Sequence, residues 1–547
     1  MARTDDQASH DQQFREAATR LGIGRRRFLT VTSAAAALAF TTNLPSAHAA
    51  DAEIAPRTLT ENPFTLGVAS GDPLSDAVVL WTRLAPRPLE PGNGLPPTGV
   101  VKVDWEIARD EHFRKVARRG TAKAHAEFNY TVHVDVDGLD ADRVHWYRFK
   151  VGSWISPVGR TRTSPGRGRR IHEVRFGLVS CQAYEDGYFT AYKHLANEDL
   201  DAVFHVGDYI YEYGIDAVGG DRKYTDRTLP SLFNHETTTL EDYRLRYALY
   251  KTDPDLQAAH AAHPWFVTWD DHEVENNYAA GIPEKNQSVE AFVARRAAAT
   301  RAYWENMPLR MPRPDATDLK LYRRHHYGRL AQFDILDTRQ YRSDQANGDG
   351  WQFPTPESED PARTLMGATQ ERWLLDGFRS SKAVWNVVPQ QVVFSRRKNT
   401  TEAKSRLSMD AWDGYPAARE RLLAGVEDIG VENLVVLTGD VHVAYAMDVK
   451  RDFDDPDSRT VGVEIVGTSI ASDGDGAERP GNWATLTAAN PHMKFYDGRR
   501  GYTAITLNEE HARADYRVIS HITRPGGTVS TAASFVSEAY NPGMQRV

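Results

Sequence analysis

Five short apolar segments, each ending in a polar and chemically reactive residue, constrain the fold of this chain more than any other feature. They are VRFGLVSCQ (174–182), AVFHVGDYIY (202–211), WFVTWDDHE (265–273), FDILDTRQY (333–341) and NLVVLTGDVH (433–442). Helical patterns lie between them, at 240–250, 288–307 and 415–426. Buried strands joined through helices predict an α/β or α+β domain, with a β-sheet core flanked by helices.

The chain before this domain has a different pattern. Residues 57–165 contain short β segments separated by turn residues, without helical stretches between them. Val132, Val134 and Val136 show the alternation of a half-buried strand. Strands at this spacing predict a small N-terminal all-β sandwich domain.

The domain boundaries follow from these changes of pattern. A linker rich in glycine, proline and arginine spans 164–170 and separates the two domains. The predicted division is a signal peptide at 1–49, a β-sandwich at 57–165, a catalytic domain at 172–530 and a C-terminal tail at 531–547.

The N-terminus has the organisation of a twin-arginine signal peptide. Arg25 and Arg26 precede an apolar run at 31–40, and Ala47-His48-Ala49 is a small-x-small cleavage pattern. The run is too short and too poor in leucine and isoleucine to span a bilayer, and no later segment reaches that length. An alanine-rich helix beside a basic patch would not require this order of segments. We therefore expect the twin-arginine machinery to export the folded protein to the extracellular space or the cell envelope.

Charge and cysteine content narrow the class of protein. The sequence has 66 Lys and Arg against 75 Asp and Glu, a formal net charge of −9. This acidic balance argues against a dedicated nucleic-acid binder, which needs a basic surface. The single cysteine, Cys181, excludes an intramolecular disulfide. A protein that folds and takes up metal inside the cell before export does not need a disulfide for stability, so the single cysteine is consistent with the signal peptide.

Groups able to bind metal follow four of the five apolar segments. They are Cys181, Asp208, Tyr211, Asp270, Asp271, His272, Asn277, Asp440 and His442. Taken singly, each has an ordinary explanation as a helix cap, a turn former or a buried side chain. Because ligands collect where strands end, the repetition of thiol, phenol, carboxylate and imidazole groups at these ends predicts a metal site.

The ligand types predict two kinds of ion. Thiolate, phenolate, carboxylate and imidazole together suit a Lewis-acidic transition ion of high charge, such as Fe(III). A neighbouring all-oxygen site from Asp208, Asp271, Asp440 and Asn277 would suit Ca²⁺, Mg²⁺ or Mn²⁺. Asp208 is the expected bridge, since a carboxylate has two oxygens and paired metals lie ~3.5–4 Å apart.

These motifs resemble those of a known family. GDYIY, a following DHE and then GDVH resemble the calcineurin-like metallophosphoesterase pattern GDxxY, GNH[ED] and GHxH. With SCQ, WDDHE and TGDVH in place of the usual forms, the sequence is most similar to PhoD-type alkaline phosphatases and related phospholipases D. LDTRQYR (336–342) and DGYPAARERLL (413–423) also look familial.

The resemblance implies a centre of one Fe(III) with Ca²⁺. Mn²⁺ and Zn²⁺ are the alternative ions. By motif, the iron ligands are Cys181, Asp208, Tyr211 and His442. The calcium ligands are Asp208, Asp271 and Asp440, with Asp270 and Asn277 as further candidates because WDDHEVENN leaves the register open. His272 matches the histidine of GNHE and is expected to lie by the substrate and protonate the leaving group.

The expected activity is hydrolysis of phosphomonoesters or phosphodiesters, with release of phosphate. The metals would activate water for attack on phosphorus, so no protein nucleophile is needed. One alternative is a phospholipase D that cleaves phosphatidylcholine-type phosphodiesters. Another, of a different class, is a cell-surface binding module with structural metals, although such sites usually close their coordination.

Overall fold

The computed structural model describes most of the chain. The described residues are 52–215, 222, 229–284, 287–314, 317, 319–402 and 404–547. The signal peptide expected at 1–49 lies outside them. Among the described residues, no helix has the length and apolarity needed to cross a bilayer.

The N-terminal region is built from eight strands. They are β1 (Val68–Gly71), β2 (Val78–Arg83), β3 (Val100–Ala108), β4 (Val116–His125), β5 (Thr131–Val136), β6 (Val144–Val151), β7 (Trp154–Ile155) and β8 (Gly159–Arg162). Strands β4, β3, β6 and β7 form one sheet, with β8 paired to β6. This sheet packs over β1, β2 and β5 through a shared core that includes Leu80, Val103, Val132 and Phe149. The predicted β-sandwich is present.

One sheet of this sandwich continues into the catalytic domain. Strand β1 pairs in parallel with a catalytic strand, so that Ser70 lies opposite Pro264 and Gly71 opposite Trp265. Gly71 is required here, because a Cβ atom would lie 2.3 Å from the carbonyl oxygen of Pro308. The two predicted domains therefore share a hydrogen-bonded sheet across the linker.

The remaining elements form the catalytic domain. Its strands are β9 (Glu173–Val179), β10 (Ala202–His205), β11 (Pro264–Val267), β12 (Arg323–Tyr327), β13 (Ala331–Ile335), β14 (Trp351–Gln352), β15 (Trp385–Pro389), β16 (Leu407–Ser408), β17 (Leu434–Thr438), β18 (Ala444–Lys450), β19 (Thr460–Val466), β20 (Met493–Asp497), β21 (Gly501–Asn508), β22 (His511–Ile519), β23 (Val529–Glu538) and β24 (Asn541–Arg546). Its helices are α1 (Thr190–Leu195), α2 (Leu240–Lys251), α3 (Pro254–Ala262), α4 (Val289–Asn306), α5 (Gly367–Ser380), α6 (Pro416–Ile429) and α7 (Trp483–Ala489).

Side-chain capping defines where three of the helices begin. Thr239 and Asp242 form a reciprocal capping box at the start of α2. Asp253 accepts two backbone hydrogen bonds at the start of α3, and Ser288 accepts one at the start of α4. Local sequence therefore defines the boundaries of the helices that cover one face of the domain.

Two sheets packed face to face form the centre of this domain. The ten-stranded sheet has the order β24-β23-β22-β21-β9-β10-β11-β1-β2-β5, and the seven-stranded sheet has the order β12-β13-β15-β17-β19-β18-β20. Phe176, Phe204 and Phe266 of the first sheet meet Phe333 of the second. The opposite faces pack against α1 to α4 and against α5 and α6, respectively. The predicted sheet core flanked by helices is confirmed.

The C-terminal residues differ from the sequence-based expectation. Residues 531–547, expected as a tail, form most of β23 and all of β24 at one end of the ten-stranded sheet. Phe535 and Met544 are buried in the core between the two sheets. Their outward neighbours are small or polar, so these strands have too few apolar residues to stand out in the sequence.

Candidate metal centre

The predicted ligands lie where parallel strands of both sheets end. Strands β9, β10 and β11 run parallel in one sheet, and β13, β15 and β17 run parallel in the other. Cys181 follows β9 by two residues, Asp208 follows β10 by three and Asp440 follows β17 by two. Because the carboxyl ends of parallel strands meet at one edge, these side chains converge.

Backbone strain accompanies this convergence. Five of the predicted ligands have a left-handed backbone, with φ between 50° and 66°: Cys181, Asp208, Asn277, Asp440 and His442. This region costs free energy for residues other than glycine and is concentrated at functional sites. The sharp change of direction after each strand turns the side chain into the centre.

The glycines of the GD pairs allow the loops to approach one another. Gly207 has φ of 121°, and a Cβ atom there would lie 2.4 Å from the Cβ of Asp270. A Cβ atom on Gly439 would lie 2.7 Å from Oγ of Ser180. Both GD motifs therefore need glycine for close packing between strand ends.

The four residues assigned to iron by resemblance lie together. Ligand atoms of Cys181, Asp208 and His442 lie within 4.8 Å of one another. The Tyr211 hydroxyl lies 2.9 Å from Nε2 of His442 and 3.3 Å from Oδ2 of Asp208. Thiol, carboxylate, imidazole and phenol thus surround one point.

A second group adjoins the first and shares Asp208 with it. Ligand atoms of Asp208, Asp271 and His272 also lie within 4.8 Å of one another. The aspartate that heads GDYIY therefore belongs to both groups, which is the arrangement of a bridging carboxylate.

Asp270, Asn277 and Asp440 lie around this second group. Arg339 Nε donates a hydrogen bond to one oxygen of Asp270. The backbone nitrogen of Asn277 lies 2.7 Å from Oδ2 of Asp271, and its side-chain amide donates to Asp349. Oδ1 of Asp440 lies 3.9 Å from Nη2 of Arg339.

His272 is oriented by a carboxylate that sequence reasoning missed. Nδ1 of His272 lies 2.7 Å from Oε2 of Glu212, and its ring stacks on Tyr211 with 4.2 Å between centroids. Glu212 directly follows GDYIY, so its position in the chain was the available signal. The contact leaves Nε2 as the ring atom that can face a substrate.

Comparison with known proteins identifies the family of this chain. The model of the PhoD-like phosphatase family matches residues 176–516, and that of the PhoD-like phosphatase N-terminal domain matches residues 48–165. This chain belongs to the PhoD-like phosphatase family. It is 52% identical over 488 residues to alkaline phosphatase D of Bacillus subtilis (strain 168), covering 89% of this chain and 82% of the relative. A solved structure of PhoD superimposes with a TM-score of 0.86 at 51% identity, covering 89% of this chain and 93% of that one.

The family membership confirms two of the expectations. The resemblance inferred from the motifs is correct, and the enzyme class is a phosphoric ester hydrolase. The description of the structure as a sheet core flanked by helices, preceded by an all-β domain, is likewise that of PhoD-like phosphatases.

The carboxylates of this PhoD-like phosphatase are crowded and buried. Burial raises the pKa of Asp208 well above its ordinary value; His272 opposes the rise and Asp271 adds to it. Burial, reinforced by Asp270, also raises the pKa of Asp440 well above its ordinary value. A bound cation would reverse these shifts by stabilising the charged forms.

Burial also raises the pKa values of the thiol and phenol groups of the centre. Burial raises the pKa of the Cys181 thiol, and the Asp208 carboxylate raises it further. Burial likewise raises the pKa of Tyr211, again with a contribution from Asp208. Protein groups alone therefore keep the thiol and the phenol protonated, and only a strongly bound cation would ionise them.

Arg339 is the cation around which the acidic residues of this centre are arranged. Its Nη1 and Nη2 bind Asp410 at 2.7 and 2.8 Å, and its Nη2 lies 3.3 Å from Oδ1 of Asp271. Together with its contacts to Asp270 and Asp440, the fully buried guanidinium touches four carboxylates. Arg339 belongs to the LDTRQYR segment, whose resemblance to the family was the available signal.

Glu273 joins the loops of the centre without facing the ligand groups. Its carboxylate accepts hydrogen bonds from the backbone nitrogens of Asp208 at 3.1 Å, Tyr209 at 2.7 Å and Asp270 at 2.9 Å. Burial raises the pKa of Glu273 to about 8. The final residue of WDDHE thus fixes the backbone of two ligand-bearing loops.

A loop after β19 contacts two residues of the first ligand group, His442 and Tyr211. Asp473 Oδ2 lies 2.6 Å from Nδ1 of His442, and Ser472 Oγ donates to the Tyr211 hydroxyl at 2.8 Å. Both residues lie in SDGDG (472–476), which sequence reasoning treated only as a loop. Such partners orient metal ligands and select the histidine tautomer.

Unpaired buried oxygens show that the centre fits a cation. Oδ1 of Asp208 and Oδ2 of Asp270 are buried without a hydrogen-bond partner. A buried carboxylate oxygen without a partner is costly in free energy. The residues present therefore suit bound metal ions.

Proposed function

We propose that this PhoD-like phosphatase is an exported, metal-dependent enzyme that hydrolyses phosphomonoesters, phosphodiesters or both, releasing phosphate. The observation that carries the proposal is the pair of ligand groups that share Asp208. Two adjoining cation sites around one carboxylate are typical of phosphoester hydrolases that use two metals. The name of the Bacillus relative, alkaline phosphatase D, supports the same reading.

The assignment of residues to ions follows the motifs of the family and is supported by the donor types. Fe(III) would be held by Cys181, Asp208, Tyr211 and His442. Ca²⁺ would be held by Asp208, Asp271 and Asp440, with Asp270 and Asn277 as further candidates. When bound, such ions activate water and neutralise phosphoryl oxygens.

Side chains of the protein orient the acidic residues of the centre and supply a proton to the leaving group. Glu212 holds Nδ1 of His272, so that Nε2 can donate a proton to the leaving-group oxygen. Arg339 holds Asp270 and Asp271 in place and offsets part of their repulsion. Burial of these groups excludes bulk water, which strengthens their electrostatic effect on the transition state.

Turnover measured beside metal content tests the proposal. We expect purified mature protein to hydrolyse p-nitrophenyl phosphate, bis(p-nitrophenyl) phosphate or both, at rates that follow its metal content. Protein carrying both metals that turns over neither ester would contradict the proposed activity. Full activity in metal-free protein would contradict the proposed metal dependence.

Export is proposed from the sequence of the N-terminus. Replacing both Arg25 and Arg26 with lysine is expected to leave precursor inside the cell, because the paired arginines form the recognition motif. Arg27→Lys, in the same basic segment, is the matched control and should leave secretion in place. Normal secretion of the double variant would refute this route.

A further inference from the structure

Two exposed aromatic side chains lie in and directly after β14, in the small sheet that β14 forms with β16. Trp351 exposes 37% of its surface and Phe353 exposes 47%; we call this pair the aromatic rim. Among the described aromatic residues, only Tyr540 is comparably exposed. An exposed aromatic ring offers a planar apolar face on which a planar group of a ligand can stack.

Hydrogen bonds anchor the aromatic rim to the centre. Trp351 lies in β14, which pairs with β16. Asp349, two residues before Trp351, accepts a hydrogen bond of 2.7 Å from the side chain of Asn277. Asp410, two residues beyond β16, binds Arg339 through both of its oxygens. Both strands of this small sheet are therefore joined to residues beside the ligand groups.

Each rim ring is covered by a guanidinium group. The Cζ atom of Arg397 lies 5.0 Å from the centroid of Trp351, and that of Arg406 lies 5.1 Å from the centroid of Phe353. A ring that carries a guanidinium group on one face can stack with a second planar group.

We propose that the aromatic rim is the subsite for the leaving group and that it selects phosphoesters with a planar heteroaromatic leaving group, such as a nucleoside, over aliphatic esters. This inference rests on the proposed phosphoesterase function. A base stacks on an aromatic side chain with a gain of about tenfold or more in affinity. A glycerol leaving group has no planar face and gains nothing comparable. The two arginines favour leaving groups that carry further negative charge.

The test compares adenosine monophosphate with glycerol 3-phosphate. Trp351→Leu keeps an apolar side chain but removes the planar ring, whereas Trp351→Phe keeps a ring. We expect Trp351→Leu to raise KM for adenosine monophosphate about tenfold and to change KM for glycerol 3-phosphate less than twofold. Trp351→Phe should keep KM for adenosine monophosphate close to the wild-type value. Phe353→Leu should raise this KM, as Trp351→Leu does.

Tyr540→Leu is the matched control. Tyr540 is exposed, and its backbone nitrogen bonds Asn433 at the amino end of β17, opposite to Asp440. This variant should leave KM unchanged for both substrates. Equal effects of Trp351→Leu on the two substrates, or no effect on either, would overturn the inference while leaving the phosphoesterase intact. Failure of the wild-type, metal-loaded protein to hydrolyse these two monoesters, p-nitrophenyl phosphate and bis(p-nitrophenyl) phosphate would instead overturn the proposed function.

Discussion

The Tyr211 hydroxyl lies 2.9 Å from Nε2 of His442, although 231 positions separate the two residues in the chain. The same hydroxyl accepts a hydrogen bond from Ser472 and lies 3.3 Å from Oδ2 of Asp208. Burial holds the pKa of Tyr211 well above its ordinary value. A phenol in these surroundings would ionise only against a strongly charged cation, which links its charge state to the bound metal.

Tyr211→Phe tests the iron assignment. A phenolate or thiolate on Fe(III) donates charge into partly filled d orbitals and absorbs visible light, which Zn²⁺ with its filled d shell cannot do. We expect the purified protein to be coloured and Tyr211→Phe to shift or remove the absorption band. Because phenylalanine keeps the ring that stacks on His272, the fold should be retained, as measured by circular dichroism.

Tyr213→Phe provides a control for that measurement. Tyr213 also packs against His272, with ring centroids 5.5 Å apart, but it belongs to neither ligand group. Its variant should keep the band. A colourless and fully active wild type with stoichiometric zinc would refute iron while leaving the phosphoesterase proposal in place.

Asp208→Asn should remove both metals. Asp208 belongs to both ligand groups, and the amide lacks the charge that a bridging ligand supplies. We expect loss of both ions by elemental analysis and a drop in turnover of at least about a hundredfold, of the order seen when a transition-state contact is lost. Asp376→Asn, an exposed position on α5, is the control. Normal metal content and turnover in Asp208→Asn would exclude a bridging role.

Chelation should separate the two ions. The calcium-type ligands are hard oxygens that bind exchangeable Ca²⁺, whereas thiolate and phenolate retain iron. We expect EGTA to abolish activity, Ca²⁺ alone to restore it, and the absorption band to persist throughout. Activity that survives excess EGTA, with calcium verified as absent, would contradict the calcium assignment.

Gly207→Ala should destabilise the protein through backbone packing. A Cβ atom at this position would lie 2.4 Å from Cβ of Asp270, and the backbone has φ of 121°. We expect a loss of roughly 2–4 kcal/mol in the free energy of unfolding, as for other combined strain and overpacking changes. Gly166→Ala is the control, because a Cβ atom there has no neighbour within 4 Å. Equal stability of the two variants, measured by chemical denaturation, would refute the steric argument.

Stability should fall as the pH is lowered below neutrality. Burial lowers the pKa of His263 from 6.5 to about 4, against an opposing hydrogen bond to the carbonyl of Leu195. Between pH 4 and 6.5 the unfolded chain binds a proton at His263 that the folded chain does not bind. The contribution of neutral His263 to the free energy of unfolding is therefore complete above about pH 6.5 and is lost as the pH falls towards 4.

His263→Gln checks that dependence. The slope of unfolding free energy against pH, between pH 4 and 6.5, should decrease by up to about 1.4 kcal/mol per pH unit relative to wild type. Above pH 7 the difference between the two proteins should be constant, which serves as an internal control. Parallel curves across the whole range would show that His263 is not the group responsible.

The local pattern of the sequence determined the strands, the chemistry at their ends and the family. Apolar runs followed by SCQ, GDYIY, WDDHE and GDVH predicted a sheet core with ligands at one edge, and the structure brings Cys181, Asp208, Tyr211 and His442 together there. The parallel pairing of β9, β10 and β11 makes this convergence predictable, because each strand delivers its carboxyl end to the same edge.

Only the tertiary structure decided which of the remaining residues meet in the metal centre and in the sheets. Asp271 joins the group with Asp208 and His272, whereas one oxygen of the neighbouring Asp270 accepts a hydrogen bond from Arg339. Sequence periodicity reports burial and local conformation, but it does not report which distant side chains meet. The pairing of β1 with β11, the strands formed by 531–547 and the contact of Arg339 with Asp410 all join segments far apart in the chain. Their positions depend on packing and hydrogen bonding across the whole fold, which no local pattern encodes.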